Sequence, residues 1–273
     1  MLEKKKIALL GGGNMGEAVI SGLLSASLSL PENIVVSEPR EDRRRFLEQT
    51  YGVTTGNTNA DVVKGRDIIL LTVKPQDMGT VLREISPHVT AASLVISVAA
   101  GIPLRFIEEH LQQNIPVIRV MPNMPALIGA GAAALAVGTH ASEKNLAVAG
   151  QIFDSLGVTV VVDETMLDTV TGLSGSGPAY AFKMIEALVD AGVKLGLPHD
   201  IATLLTAQTI LGAARLCLES GKSPAQLTDL ITSPGGTTIA GLAVLEKGDF
   251  RSTVMGAVEA AAARSRELGK VSP

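Results

Sequence analysis

Tryptophan is absent from this chain, and cysteine occurs once, as Cys217. A single thiol excludes an intrachain disulfide framework and any thiolate metal cluster, so no metal is expected and Cys217 is read as a small core residue. Aromatic side chains make up only 3% of the 273 residues, which leaves little for nucleobases to stack on. The net charge of -4 gives no basic footprint, so no nucleic-acid partner is expected. No uninterrupted apolar run reaches the roughly 18 to 20 residues of a membrane helix. The opening MLEKKKIALLGGG joins a basic start to an apolar run, but the run is about half a signal-peptide core and leads straight into glycines, so it reads as a first strand. A soluble, cytoplasmic protein without a membrane partner is the expectation.

What the chain has is small aliphatic residues. They supply most of its 46% hydrophobic content, and its length suffices for two domains. From residue 4 to residue 162 short apolar runs alternate with amphipathic stretches: KIALL precedes a glycine turn and a helix pattern, NIVVS follows, and DIILLTV, SLVISV, VIRV and VTVVV recur after helical segments. Such alternation predicts a mostly parallel sheet wrapped by helices. Gly11, Gly13 and Gly16 form G-x-G-x-x-G directly after the first strand, with Gly12, Asn14 and Met15 between them. The first glycine allows a tight turn, the second lets a pyrophosphate approach the backbone, and the third brings strand and helix together. Glu38, after Ser37 at the end of the second strand, falls where a ribose-binding acid belongs.

Glu38 favours NAD by accepting hydrogen bonds from a ribose 2′-hydroxyl, whereas Arg40, Arg43, Arg44 and Arg45 directly after it would attract a 2′-phosphate unless they are a solvated helix face. NADH and NADPH both stay open. The run TVKP, from Thr72 through Val73 and Lys74 to Pro75, and the run SVAAG, with Ala99 and Gly101, end later strands at the edge where doubly wound sheets bind ligands. In MPNMP two prolines deny the loop a helix and hold Asn123 on a rigid mount near the expected nicotinamide.

From Asp163 onward the pattern turns helical, over 165–195 with a break near GSGP, then 199–219, 224–231 and 249–269. Helices this rich in alanine bury little surface alone, so dimerisation through them is expected. SGSGPAY and SPGGTT interrupt them. Backbone N–H groups at a helix start, with the hydroxyls of Thr237 and Thr238, make a small anion site suited to a carboxylate.

GGGNMG, TVKP, SVAAG, MPNMP, GLSGSGPAYAF, LGLP and SPGGTTIAGLAVLE follow one another over almost the whole chain. In this order they resemble the pyrroline-5-carboxylate reductase family, and the last stretch is close to that family's signature. The resemblance implies an α/β fold: a Rossmann-like dinucleotide-binding domain over 1–163 and an all-α dimerisation and substrate-binding domain over 164–273. It implies reduction of 1-pyrroline-5-carboxylate to L-proline, the last step of proline biosynthesis, by hydride transfer from NADPH or NADH, in a homodimer that assembles to a decamer. By motif, Gly11 to Gly16, Lys74, Pro75, Ala99, Gly101 and Asn59 in TNADVV would line the cofactor, and Ser233, Gly235, Gly236, Thr237 and Thr238 would hold the substrate carboxylate. Thr238 is the candidate for bonding the ring nitrogen or relaying its proton. Met124 stands where many members have threonine, and Glu38 where many have a smaller residue.

Two other readings fit the residues less well. β-Hydroxyacid dehydrogenases share the architecture, but aligned on Gly175 and Gly177 their lysine position is Ala181 and their asparagine position Ile185. Lys183 is two residues away, and about 100° of rotation per residue carries it off that face. A non-catalytic nucleotide sensor would need no carboxylate site.

Overall fold

Successive side chains of a strand point to opposite faces, so an unbroken apolar run marks a strand covered on both sides. The computed structural model of the protein, which describes residues 2–112 and 114–270, builds its sheet from such runs. In β1 (Ile7–Leu10), Ile7 and Leu9 enter one core while Ala8 and Leu10 enter the other. The helix α1 (Asn14–Ser25) follows, then β2 (Ile34–Ser37), α2 (Glu41–Tyr51), β3 (Thr54–Gly56), α3 (Asn59–Val63) and β4 (Ile68–Leu71), whose residues divide between the same two cores. The chain continues through α4 (Met78–Ile85), β5 (Leu94–Ser97), α5 (Leu104–His110), β6 (Val117–Met121), β7 (Gly131–Val137), α6 (Glu143–Asp154) and β8 (Gly157–Val161).

The strand order is β3-β2-β1-β4-β5-β6-β7-β8, parallel throughout except for the antiparallel β6–β7 pair. The chain leaves β1 toward β2 on one side and later returns to β4 on the other, so the carboxyl ends of β1 and β4 form the switch point where such sheets bind ligands. α1 and α6 supply Val19, Leu23, Ile152 and Phe153 to one core; α4 and α5 supply Met78, Leu82, Ile85 and Ile107 to the other. β3 and β7 go beyond the six strands read from the sequence. The run MPNMP also differs from its expectation: Met124–Ile128 forms a 3-10 helix with Asn123 at its N-cap position and no side-chain cap bond, and a proline is compatible with its first turn.

By chain contacts the protein divides into two compact units, one running to Ser176 and resumed from Glu259, the other Gly177–Val258. Composition shifts earlier, at 163/164. The first unit carries α7 (Leu167–Val170) and a π-helical turn over Thr171–Gly175. The second holds α8 (Gly177–Lys194), α9 (His199–Glu219), α10 (Pro224–Leu230), α11 (Thr237–Lys247) and the start of α12 (Phe250–Lys270). Ser223 and Gln226 close a capping box around Pro224, and the Tyr180 hydroxyl donates to the Ala257 carbonyl at 3.3 Å. This unit buries few large side chains and leaves Phe182, Leu204, Leu205, Leu218 and Val244 exposed. Cys217, expected in a core, is exposed on α9.

Candidate active site

The glycine loop sits at the switch point because only glycine fits its turns. Gly11 has φ +104°, and a Cβ there would stand 2.8 Å from the Thr72 carbonyl oxygen. A Cβ on Gly16 would collide with the Gly11 carbonyl oxygen, so strand and helix meet at this pair. Gly13 differs: it caps α1 in extended backbone, and a Cβ there would meet nothing within 4 Å. α1 has no side-chain cap, so the open space over Gly13 lies at a helix start whose N–H groups favour an anion. The Thr72 hydroxyl braces the loop, donating to the Leu10 carbonyl at 2.9 Å and the Gly11 carbonyl at 2.7 Å.

A cleft of about 620 Å³ opens here. Of the residues expected around a cofactor, it brings together Gly11 and Gly13 from the loop, Ser37 and Glu38 after β2, Asn59, and Thr72 to Lys74 after β4. Gly12, Asn14, Met15, Gly16, Pro75, Ala99 and Gly101 are not in its lining. Gly12 stands behind the loop, where a Cβ would press on Leu47 at 2.7 Å. Gly101, at φ +74°, lies under α12, with Leu268 3.4 Å from where its Cβ would be. The cleft adds Gln76 and Asp77, on a 3-10 turn started by Pro75, which carried no signal in the sequence beyond that proline.

Charge in the cleft is organised around Glu38. Its side chain is only 8% exposed. Oε2 accepts from the Gly12 N–H at 3.0 Å, and Oε1 accepts from the Arg40 N–H at 3.1 Å and Arg40 Nε at 3.2 Å. Of the arginines expected on a solvated helix face, Arg43 is a correction: it is largely buried, donating from Nε to the Gly12 carbonyl at 2.6 Å and pairing with Glu17. Glu17 also accepts from the Tyr51 hydroxyl at 2.9 Å. Burial first, and that hydrogen bond second, raise the Tyr51 phenol above its ordinary pKa. Asn59 donates to Glu84 at 2.7 Å.

Asn123 is the best-anchored polar side chain of its loop. Its Nδ2 donates to the Ser174 carbonyl at 3.0 Å and its Oδ1 accepts from the Ala132 N–H at 2.9 Å. It therefore ties the turn after β6 to the start of β7 and to the π-helical turn.

In the second unit, SPGGTT is the approach to a helix. Gly235 turns the chain at φ +71°, the Gly236 N–H donates to the Ser233 carbonyl at 2.9 Å, and α11 begins at Thr237 without a side-chain cap. Ala240 is the first residue whose N–H reaches back into this helix, to Gly236 at 3.3 Å, which leaves earlier N–H groups directed off its end. Thr238 is half-buried; Ser233 and Thr237 are exposed.

A family model described as pyrroline-5-carboxylate reductase dimerisation matches residues 164–268, and one described as NADP oxidoreductase, coenzyme F420-dependent, matches 6–101. The pyrroline-5-carboxylate reductase of Methanosarcina acetivorans is 43% identical over 98% of this chain and 100% of its own length. That of Synechocystis sp. is 46% identical over 97% of this chain and 98% of its own. Among solved structures, a pyrroline-5-carboxylate reductase from Coxiella burnetii superposes with a TM-score of 0.91 at 36% identity, covering 97% of this chain and 99% of that one. A pyrroline carboxylate reductase from Plasmodium falciparum with NADP bound superposes with a TM-score of 0.90 at 34% identity, covering 98% and 100%.

Proposed function

The chain belongs to the pyrroline-5-carboxylate reductase family, and from that premise we propose how its residues divide the reduction of 1-pyrroline-5-carboxylate to L-proline with NADPH or NADH, the last step of proline biosynthesis. The observation that carries the cofactor half is the glycine cradle: Gly13 is open toward the cleft above the uncapped start of α1, and Ser37, Glu38, Thr72 and Lys74 stand around it. These residues fit a dinucleotide, with the pyrophosphate over Gly13 and the adenosine ribose toward Glu38. When bound, the reduced nicotinamide supplies two electrons and a hydrogen to the imine carbon.

The substrate carboxylate goes to the α11 start, held by the N–H groups of Thr237 and Thr238 and by the hydroxyls of Ser233, Thr237 and Thr238. Support comes from the turn at Gly235 and Gly236, which leaves that helix end uncapped. Thr238 directs its hydroxyl to the ring nitrogen. A threonine hydroxyl is a weak acid, so its part is to orient the imine and relay a proton from water, and a protonated imine is the more electrophilic. Asn123 fixes the loop after β6 in the first unit.

The assembly follows from the second unit. α9 is, among the described residues, the one helix long and apolar enough to cross a membrane, with mean hydropathy 1.5 and almost none of it buried. It lies inside the segment matched to the dimerisation family, and we assign its apolar surface to a homodimer interface. Five such dimers in a decamer, in the cytoplasm, complete the proposal.

The test is oxidation of NADPH, and separately NADH, by purified protein given 1-pyrroline-5-carboxylate, with the product identified by chromatography. L-Proline formed one for one with oxidised cofactor is the expected result. No oxidation by folded protein that binds nucleotide would overturn the assignment.

A further inference from the structure

The four arginines after β2 look, as sequence, like a pocket for a 2′-phosphate. Three of the four side chains are committed elsewhere. Arg43 is bound to the Gly12 carbonyl and Glu17, Arg44 donates to the Glu38 and Pro39 carbonyls at 2.9 and 2.8 Å, and Arg45 pairs with Glu41 at 2.5 Å. Only Arg40 lines the cleft, and its Nε is already on Glu38. The other cation in the lining, Lys74, follows β4, on the far side of β1 from β2.

Glu38 is the fixed element. It is an acceptor-only group, held by three donors at 3.0 to 3.2 Å, one of them the glycine loop itself. An ionised carboxylate offers about four lone-pair sites, so roughly one remains for a ligand, and that ligand must donate. A ribose 2′-hydroxyl donates. A 2′-phosphate dianion cannot, and it would stand against a carboxylate that is too buried for water to screen and too tethered to swing away. Arg40 does not reverse this balance, because with Glu38 it forms a pair of no net charge.

Resting on the dinucleotide reading of the cleft, we propose that Glu38 sets the cofactor preference of this chain, selecting NADH over NADPH by accepting the 2′-hydroxyl and rejecting the 2′-phosphate, with Arg40 as the clasp that positions the carboxylate.

The experiment is direct titration of the full-length protein with NADH and with NADPH, followed by nucleotide fluorescence and calorimetry, without substrate. Wild-type protein is expected to bind NADH at least about tenfold more tightly, the factor that about 1.4 kcal/mol represents. Glu38→Gln keeps an acceptor for the Gly12 N–H and removes the charge, and is expected to shrink the preference to about threefold or less, mainly through tighter NADPH binding. Glu38→Ser makes room as well and is expected to invert it. Arg40→Ala is expected to leave NADH preferred. Equal or tighter binding of NADPH by the wild type, or loss of NADPH binding in Arg40→Ala from such a level, would overturn the proposal. Because no imine is present, a failed reductase assay with intact NADH selectivity would count against the substrate assignment alone.

Discussion

Asn123 donates its side-chain amide to the Ser174 carbonyl at 3.0 Å, joining the loop after β6 to the π-helical turn at the end of the first unit. The same amide accepts from Ala132, so one side chain fixes three segments. Asn123→Ala leaves two partly buried backbone groups without their partner and is expected to destabilise the fold by about 1–2 kcal/mol in urea unfolding. Asn123→Asp keeps the acceptor for Ala132 and loses the donor to Ser174, and should fall between the two. A variant of wild-type stability would show that the loop holds itself.

The glycines of the loop separate by what surrounds them. Gly13→Val puts its side chain into the open cleft, so nucleotide binding is expected to vanish while the thermal midpoint stays within a few degrees of wild type. Gly16→Ala drives a Cβ into the Gly11 carbonyl and should cost about 1–3 kcal/mol of stability. Calorimetric unfolding and NADH titration of both variants check this; tight binding by Gly13→Val would contradict the cradle.

Arg119 on β6 is nearly buried, and its Nη1 donates to Glu164 at 2.9 Å. Glu164 also accepts from the Leu104 N–H at 2.6 Å. Removing the acid leaves a buried cation alone, so Glu164→Ala is expected to cost about 3 kcal/mol, whereas Glu164→Gln, which still accepts, should cost less than half of that. Equal losses would mean that the charge of Glu164, and not its accepting oxygen, carries the pair.

Thr238→Ala should lower kcat about tenfold or more while nucleotide affinity stays unchanged, because the hydroxyl assigned to the ring nitrogen is no part of the cleft lining around the glycine loop. Steady-state kinetics beside the titration separate the two effects. Weakened nucleotide binding with normal turnover would reverse the assigned role.

Leu204 is 70% exposed on α9. Leu204→Glu places a charge on the surface assigned to the dimer and is expected to lower the mass measured by light scattering toward a single chain, without loss of helix signal in circular dichroism. An unchanged mass would move the interface elsewhere.

Most of the strands that sequence made legible are covered on both faces, and runs such as DIILLTV have no polar phase to confuse, although β8 was legible from VTVVV with Val158, Val160 and Val161 exposed. β7 was not among them: GAAALAV is mostly alanine, a helix former, and only pairing with β6 and β8 makes it a strand. β3 is three residues with a half-polar surface and has no period to detect. At the site, the G-x-G-x-x-G spacing located the loop, and the end of β2 located Glu38. The commitment of Arg43 was not readable, since it depends on the Gly12 carbonyl and on Glu17, brought in by the glycine turn and α1. Cys217 failed as a core residue for a related reason: α9 is apolar around much of its surface, and composition alone does not say which neighbour covers it.

The central claim is tested most directly with reduced cofactor deuterated at the transferring position of its nicotinamide. The protein is given this cofactor with 1-pyrroline-5-carboxylate, and the product is examined by mass spectrometry and NMR. L-Proline carrying one deuterium on its δ-carbon, the former imine carbon, is the expected product. Unlabelled proline, or no proline from protein that binds the cofactor, would contradict it.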